Sequence, residues 1–143
     1  MKVRIQKLHP DAVLPSYAHG PVEDAGMDLC AVEEVVLEPG VPTLAPTGLS
    51  VELPPGYEGQ VRPRSGLAIK HAIGMPNAPG TIDPGYRGEI RVPLINLGRE
   101  TFRIAKGDRV AQLIVARYES VEWEEAALGE SRRGTGGFGS SGA

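Results

Sequence analysis

The sequence is poor in the features of a secreted, membrane-spanning or broadly nucleic-acid-binding protein. It has one cysteine, Cys30, so no internal disulfide can form, and a reducing compartment, the cytoplasm, is expected. No run approaches the roughly 20 apolar residues that a membrane span needs. Met1 leads into alternating Val3, Arg4, Ile5 and Gln6 rather than a basic start and an apolar stretch, so no signal peptide is expected. The formal charge of −3 lacks the basic excess of a general nucleic-acid binder and leaves room only for local basic clusters. Helical periodicity is almost absent, and there is no internal repeat and no domain-sized linker.

What is present points to strands and turns. The 143 residues are enough for one domain with a core, and 41% hydrophobic with 23% charged residues is ordinary for a globular chain. Glycine (19) and proline (13) together make about 22% of the chain, which favours many short strands. Alternating runs bounded by Pro and Gly predict strands at 3–8, 34–37, 49–53, 58–62, 89–96 and 110–118. In the fifth, Ile90, Val92 and Leu94 share a face, and Pro93 predicts an edge or a bulge. Turn signals include Glu38-Pro39-Gly40, Pro54-Pro55-Gly56, Asp83-Pro84-Gly85 and Lys106-Gly107-Asp108. One short helix is expected at 66–71 with Ser65 as its N-cap. The Glu-rich stretch 121–128 reads either as helix or as strand. The segment 129–142 carries six glycines and one aromatic, Phe138, and cannot build a core alone.

Five stretches carry chemistry. In Asp24-Ala25-Gly26-Met27-Asp28, two carboxylates bracket a glycine, which suits a hard cation and equally suits a solvated turn. Arg62-Pro63-Arg64-Ser65-Gly66 places guanidinium and hydroxyl groups before a helix, which suits a phosphate chain as well as a capped helix with surface arginines. In Asn77–Glu89, Gly80 permits close approach of a ligand and Pro84-Gly85 forces a turn. Asp83, between Ile82 and Pro84, sits in partly apolar surroundings where it could act as general base, and Tyr86 offers a flat face. Gln112 lies within an apolar strand and needs a partner, a phosphate or a backbone amide. Glycine-rich Arg133–Ser141 could wrap phosphates through backbone N–H groups, but it lacks the spacing and the Lys-Ser/Thr pair of a P-loop. His9, His19 and His71 show no metal spacing. Cys30 reads as a small core residue rather than a nucleophile.

In order and spacing these stretches resemble the five motifs of the trimeric dUTPase family, from Asp24 to Ser141. The resemblance implies an all-β, jelly-roll-like β-barrel over residues 1–128, with one short helix. It implies a flexible glycine-rich C-terminal arm over 129–143 that completes a neighbouring active site. Three identical subunits would surround a threefold axis, each site drawing on all three. The activity implied is dUTP diphosphatase: magnesium-dependent hydrolysis of dUTP to dUMP and pyrophosphate by water attack on the α-phosphorus. That reaction keeps uracil out of DNA and supplies dUMP for thymidylate synthesis.

The resemblance also implies roles. Asp83 would orient and deprotonate the water. Asn77, Gly80, Thr81 and Ile82 would hold uracil, with Tyr86 under the deoxyribose excluding a 2′-hydroxyl and Arg91 near the nucleoside. Arg64, Ser65, Gly66 and Gln112 would grip the phosphates, and Asp28 would face Mg2+ through water. Phe138 would stack on uracil when the arm closes, with Arg133 and Ser140 on the phosphates. Partners would be the nucleotide and like subunits, with no nucleic acid and no membrane. Two departures stand out: Ser141 where the family often has Thr, and Pro84, which gives the Asp-Pro-Gly of the sister dCTP deaminases. A deaminase is the first rival reading. Against it stand Arg64-Ser65-Gly66-Leu67-Ala68 and the Phe138 arm, and one cysteine supplies no zinc-deaminase signature. A non-catalytic nucleotide binder on the same scaffold is the second.

Overall fold

The structure, a computed structural model, describes residues 1–137. Along the chain run β1 (Arg4–Lys7), β2 (Met27–Cys30), β3 (Val35–Leu37), β4 (Thr43–Pro46), β5 (Leu49–Glu52) and β6 (Tyr57–Arg62). The helix α1 (Ser65–His71) follows, then β7 (Ile73–Gly74), β8 (Gly80–Ile82), β9 (Arg91–Asn96), β10 (Phe102–Ile104) and β11 (Arg109–Arg117). No helix is long and apolar enough to cross a membrane among the described residues.

Every strand pair is antiparallel. A four-stranded sheet runs β2-β11-β6-β8, a three-stranded one β4-β9-β7, and β1-β5 and β3-β10 form two-stranded pieces. The expected strands recur with ends shifted by one or two residues. Of five further strands, β2 and β8 lie inside the motif stretches, and β4, β7 and β10 lie where no strand was expected. The helix begins one residue earlier than expected: Ser65 is its first helical residue, the N-cap is Arg64, and no side chain caps it. The stretch 121–128 takes neither helix nor strand and is exposed throughout.

Alternation explains the core. In β9, Val92 and Leu94 point inward with Ile90 just ahead of them, as the period of two requires. Pro93 disturbs nothing, because β9 pairs with β4 over Arg91–Leu94 while β7 reaches only Ile95 and Asn96. At Pro93 the strand is locally an edge, without a bulge. The bulge lies in β11 instead, between Arg109 and Ala111. It lets consecutive Val110 and Ala111 both be buried. Leu29, Leu37, Leu49, Val92 and Leu94 are almost wholly buried, each contributing about 1.5–3 kcal/mol of transfer free energy.

Two buried polar residues tie the layers together. Asn96 Nδ2 donates to the Leu37 carbonyl at 2.9 Å and the Glu100 carbonyl at 2.7 Å, while its Oδ1 accepts Gly98 N–H at 2.9 Å. Thr47 Oγ1 donates to the Ile90 carbonyl at 2.6 Å. Ile90 N–H donates to Leu49 at 2.7 Å, and Ser50 Oγ to the Arg87 carbonyl at 2.7 Å. The entry to β5 thus fixes the segment between β8 and β9.

Candidate active site

Strand β8 pairs with β6 through Gly59↔Ile82, Gln60↔Thr81 and Val61↔Gly80 and has no neighbour on its other side among the described residues. An edge strand keeps a row of unpaired backbone N–H and C=O groups. Around it lies a cleft of about 130 Å³, lined by Asn77, Gly80, Thr81, Ile82, Tyr86 and Arg91 with apolar Val61, Met75 and Ile90. Six of the seven uracil- and nucleoside-side residues named from the sequence converge there, and the seventh, Phe138, lies outside the described residues. The cleft is small against the roughly 300–1,000 Å³ of drug-sized sites and suits one flat ring. At Gly80 a Cβ would lie 3.3 Å from Asn77 Nδ2, so the glycine leaves room for that amide.

Asp83 follows β8 directly and opens a turn in which its carbonyl accepts Tyr86 N–H at 3.0 Å. Contrary to the partly apolar surroundings read from the sequence, the residue is exposed: Ile82 turns inward as β8 alternates and leaves Asp83 outside. Tyr86 Oη donates to the Glu89 carbonyl at 2.9 Å. Glu89 lines the cleft too and was not singled out by sequence. Its Oε1 accepts Gly48 N–H at 2.8 Å, and its Oε2 lies 3.6 Å from Arg91 Nε.

A second cluster gathers around Asp28, which β2 holds 8% exposed. Opposed strand residues share a face, and the register sets Gln112 between Asp28 and Arg62. Asp28 Oδ2 accepts Arg109 Nη1 at 3.3 Å, and Oδ1 lies 3.4 Å from Arg64 Nε. Arg64 Nη1 also donates to the Arg109 carbonyl at 3.2 Å. Arg109 escaped the sequence reading although it follows the Lys106-Gly107-Asp108 turn signal directly. Only the register of β11 on β2 carries it to Asp28, 81 residues away. Ser65 and Gly66 are exposed in the first turn of α1. Beside this cluster, burial and then the Asp28 charge push the half-buried Cys30 thiol above its ordinary pKa, which keeps it neutral and a poor nucleophile.

Within one chain the two clusters do not meet. The cavity beside Arg64 and Arg109 shares no lining residue with the Gly80 cleft. Asp28 and the hairpin lie on opposite edges of the four-stranded sheet. Three strand spacings put these edges roughly 14 Å apart. Arg133 joins neither cluster: its Nε donates to the Gly136 carbonyl at 2.9 Å, closing a local turn. Phe138 and Ser140 lie outside the described residues.

Magnesium can be tested against the donors. No group of three or more His, Cys, Asp or Glu side chains suited to a metal occurs among the described residues. Asp28 Oδ1, however, is a buried carboxylate oxygen with no hydrogen-bond donor. One such oxygen fits a magnesium ion that keeps several waters and takes its other ligands from phosphates.

A family model described as dUTPase matches residues 14–142. A deoxyuridine 5'-triphosphate nucleotidohydrolase from Solibacter usitatus is 68% identical over 142 residues, covering 99% of this chain and 97% of that protein. One from Gloeothece citriformis is 50% identical over 143 residues, with the same coverages. Among solved structures, a Staphylococcus bacteriophage 80alpha dUTPase mutant with dUpNHpp superposes with a TM-score of 0.91 at 28% identity, covering 99% of both chains. A mutant dUTPase from phage phi11 of S. aureus, described with a structural Mg(II) ion, gives 0.83 at 26% identity, covering 92% of this chain and 100% of that one. The mostly β fold with one short helix is thus shared with dUTPases of known structure. The chain belongs to the dUTPase family.

Proposed function

We infer that this chain is a dUTP diphosphatase, hydrolysing dUTP to dUMP and pyrophosphate. The observation that carries the reading is the convergence of Asn77, Gly80, Thr81, Ile82, Tyr86 and Arg91 on one ring-sized cleft. Uracil enters it, and the Asn77 amide with the free edge of β8 imitates a base-pair edge. Thymine is excluded by its 5-methyl group and cytosine by mismatched hydrogen bonds, the stronger discriminator. Tyr86 packs under the deoxyribose and leaves no room for a 2′-hydroxyl.

Asp83 accepts a proton from water as that water's oxygen bonds to the α-phosphorus. The α–β bridging P–O bond breaks, and its electron pair leaves with pyrophosphate. Exposure in the single chain keeps Asp83 reachable by water. Arg64, Ser65, Gly66 and Gln112 hold the phosphates, so guanidinium and amide donors balance charge that an acidic protein otherwise repels. Asp28 would hold Mg2+ through water. The ion, when bound, supplies further charge neutralisation.

The site is composite in a homotrimer. Its support is the separation of the two clusters within one chain, together with unusual apolar exposure: Ile69 86%, Trp123 90% and Leu128 96%. The helix α1 buries no residue of its own. Burying such side chains against other subunits is favourable. We assign residues 1–128 to a jelly-roll-like barrel and 129–143 to an arm that closes over a neighbour's site, bringing Phe138 to uracil and Arg133 and Ser140 to the phosphates. Closure excludes water and strengthens these contacts. The reading places the enzyme in the cytoplasm, in keeping with its single free thiol.

The test is pyrophosphate release with magnesium, offering dUTP, dCTP, TTP and UTP separately. Release from dUTP alone supports the reading. Ammonia from dCTP would favour the deaminase, and tight dUTP binding without turnover would favour the non-catalytic binder.

A further inference from the structure

Tyr86 occupies its place because residue 88 has no side chain. A Cβ built on Gly88 would lie 2.4 Å from Tyr86 Oη, 2.6 Å from Cζ and 2.9 Å from Cε2. Such distances are inside van der Waals contact, so ring and Cβ cannot coexist. Backbone conformation does not require the glycine, since Gly88 is not among the residues with positive φ. What it supplies is space, and the Tyr86 phenol fills that space.

The seat is rigid on its other side. Tyr86 Oη donates to the Glu89 carbonyl at 2.9 Å. Glu89 is held through Oε1 to Gly48 N–H, and Ile90 through its N–H to Leu49 and its carbonyl to Thr47. The acceptor therefore cannot follow a displaced ring. A side chain at 88 would leave the fold standing, because what must move is the far end of one side chain that is 43% exposed. It would move the ring off its seat.

We propose that Gly88 is a specificity-determining residue: by seating the Tyr86 ring it sets the discrimination between deoxyribose and ribose. This rests on the reading of Tyr86 as the group under the sugar. Gly88 is a positioning residue that acts through Tyr86 and touches no substrate itself.

The experiment compares kcat/KM for dUTP and UTP in wild type, Tyr86→Ala, Gly88→Ala, the double variant, and Gly85→Ala. Gly85 is in the same turn with open space around it and serves as control. Gly88→Ala is expected to lower the dUTP/UTP ratio about tenfold or more, the scale of one displaced pocket contact. Gly85→Ala is expected to leave the ratio unchanged. With the ring already removed, adding the Cβ is expected to change the ratio no further, because both changes act on one contact.

An unchanged ratio in Gly88→Ala beside a lowered one in Tyr86→Ala overturns the inference and spares the sugar reading. Independent, multiplying effects in the double variant overturn it as well. An unchanged ratio in Tyr86→Ala removes the sugar reading, and the inference falls with it. If Gly88→Ala alone does not fold, the double variant decides. Folding recovered on removal of the ring supports the contact, and no recovery overturns it.

Discussion

The Nε of Arg64 lies 3.4 Å from Oδ1 of Asp28. This pair joins the start of α1 to β2, and Arg109 completes it from β11 through the other carboxylate oxygen. One buried carboxylate thus orders two guanidinium groups. Asp28→Asn keeps the shape and removes the charge. It is expected to lower kcat/KM for dUTP by about tenfold to a hundredfold, the usual effect of losing a group that orients metal or phosphate ligands. It is also expected to raise the magnesium concentration needed for half-maximal rate. A magnesium titration under steady-state conditions checks both, and an unmoved titration curve would remove Asp28 from the metal's surroundings.

Asp83→Asn preserves the turn, because the turn is closed by the backbone bond from Tyr86 N–H to the residue 83 carbonyl. Nucleotide affinity, measured by calorimetry, should therefore stay close to wild type. The turnover number should fall about a thousandfold, within the range that loss of a general base produces. A variant that retains a tenth of the activity would show that another group takes the proton.

Removing residues 134–143 takes away the glycine-rich end of the assigned arm, Phe138 and Ser140 included, and leaves every strand of the described fold. The thermal midpoint and oligomeric mass should be unchanged. The turnover number should drop by about a hundredfold, as loss of closure and positioning predicts. Full activity in the shortened chain would exclude an arm that closes the site.

Asn96→Ala tests the scaffold alone. Three hydrogen bonds from a residue 1% exposed disappear, and the Leu37 and Glu100 carbonyls and the Gly98 N–H lose their partner. The expected loss is about 2–4 kcal/mol of unfolding free energy, read by denaturant titration. Activity per folded molecule at low temperature should be retained. A stability change below about 0.5 kcal/mol would mean that water replaces all three bonds.

Much of this was legible in the chain. Alternation marked β9 and an apolar run around Gln112 marked β11, both of which contribute to the core, and the hairpin residues from Asn77 to Tyr86 were legible as a set because they are nearly contiguous. Three strands were too short or too heavily punctuated to be read. β4 follows Pro42 and ends on Pro46, β7 has only two residues, and β10 has three beside polar neighbours. β2 and β8 were hidden inside stretches whose Gly and Asp residues signal turns. The Asp28–Arg109 link was not legible because it depends on register and on the bulge in β11, which no local pattern encodes. Gly88 was passed over because its consequence appears only where the Tyr86 ring folds back over it.

The most direct test of a composite dUTP-hydrolysing site is subunit mixing. Asp83→Asn and Arg64→Ala chains, each inactive or nearly so alone, are unfolded together, refolded, and assayed for pyrophosphate release from dUTP with magnesium. If the hairpin and the phosphate cluster of one site come from different chains, some mixed sites receive an intact Asp83 and an intact Arg64. Activity should then rise well above either parent. If both groups serve a site within one chain, every site carries at least one lesion, and a mixture no more active than its parents would contradict the composite site.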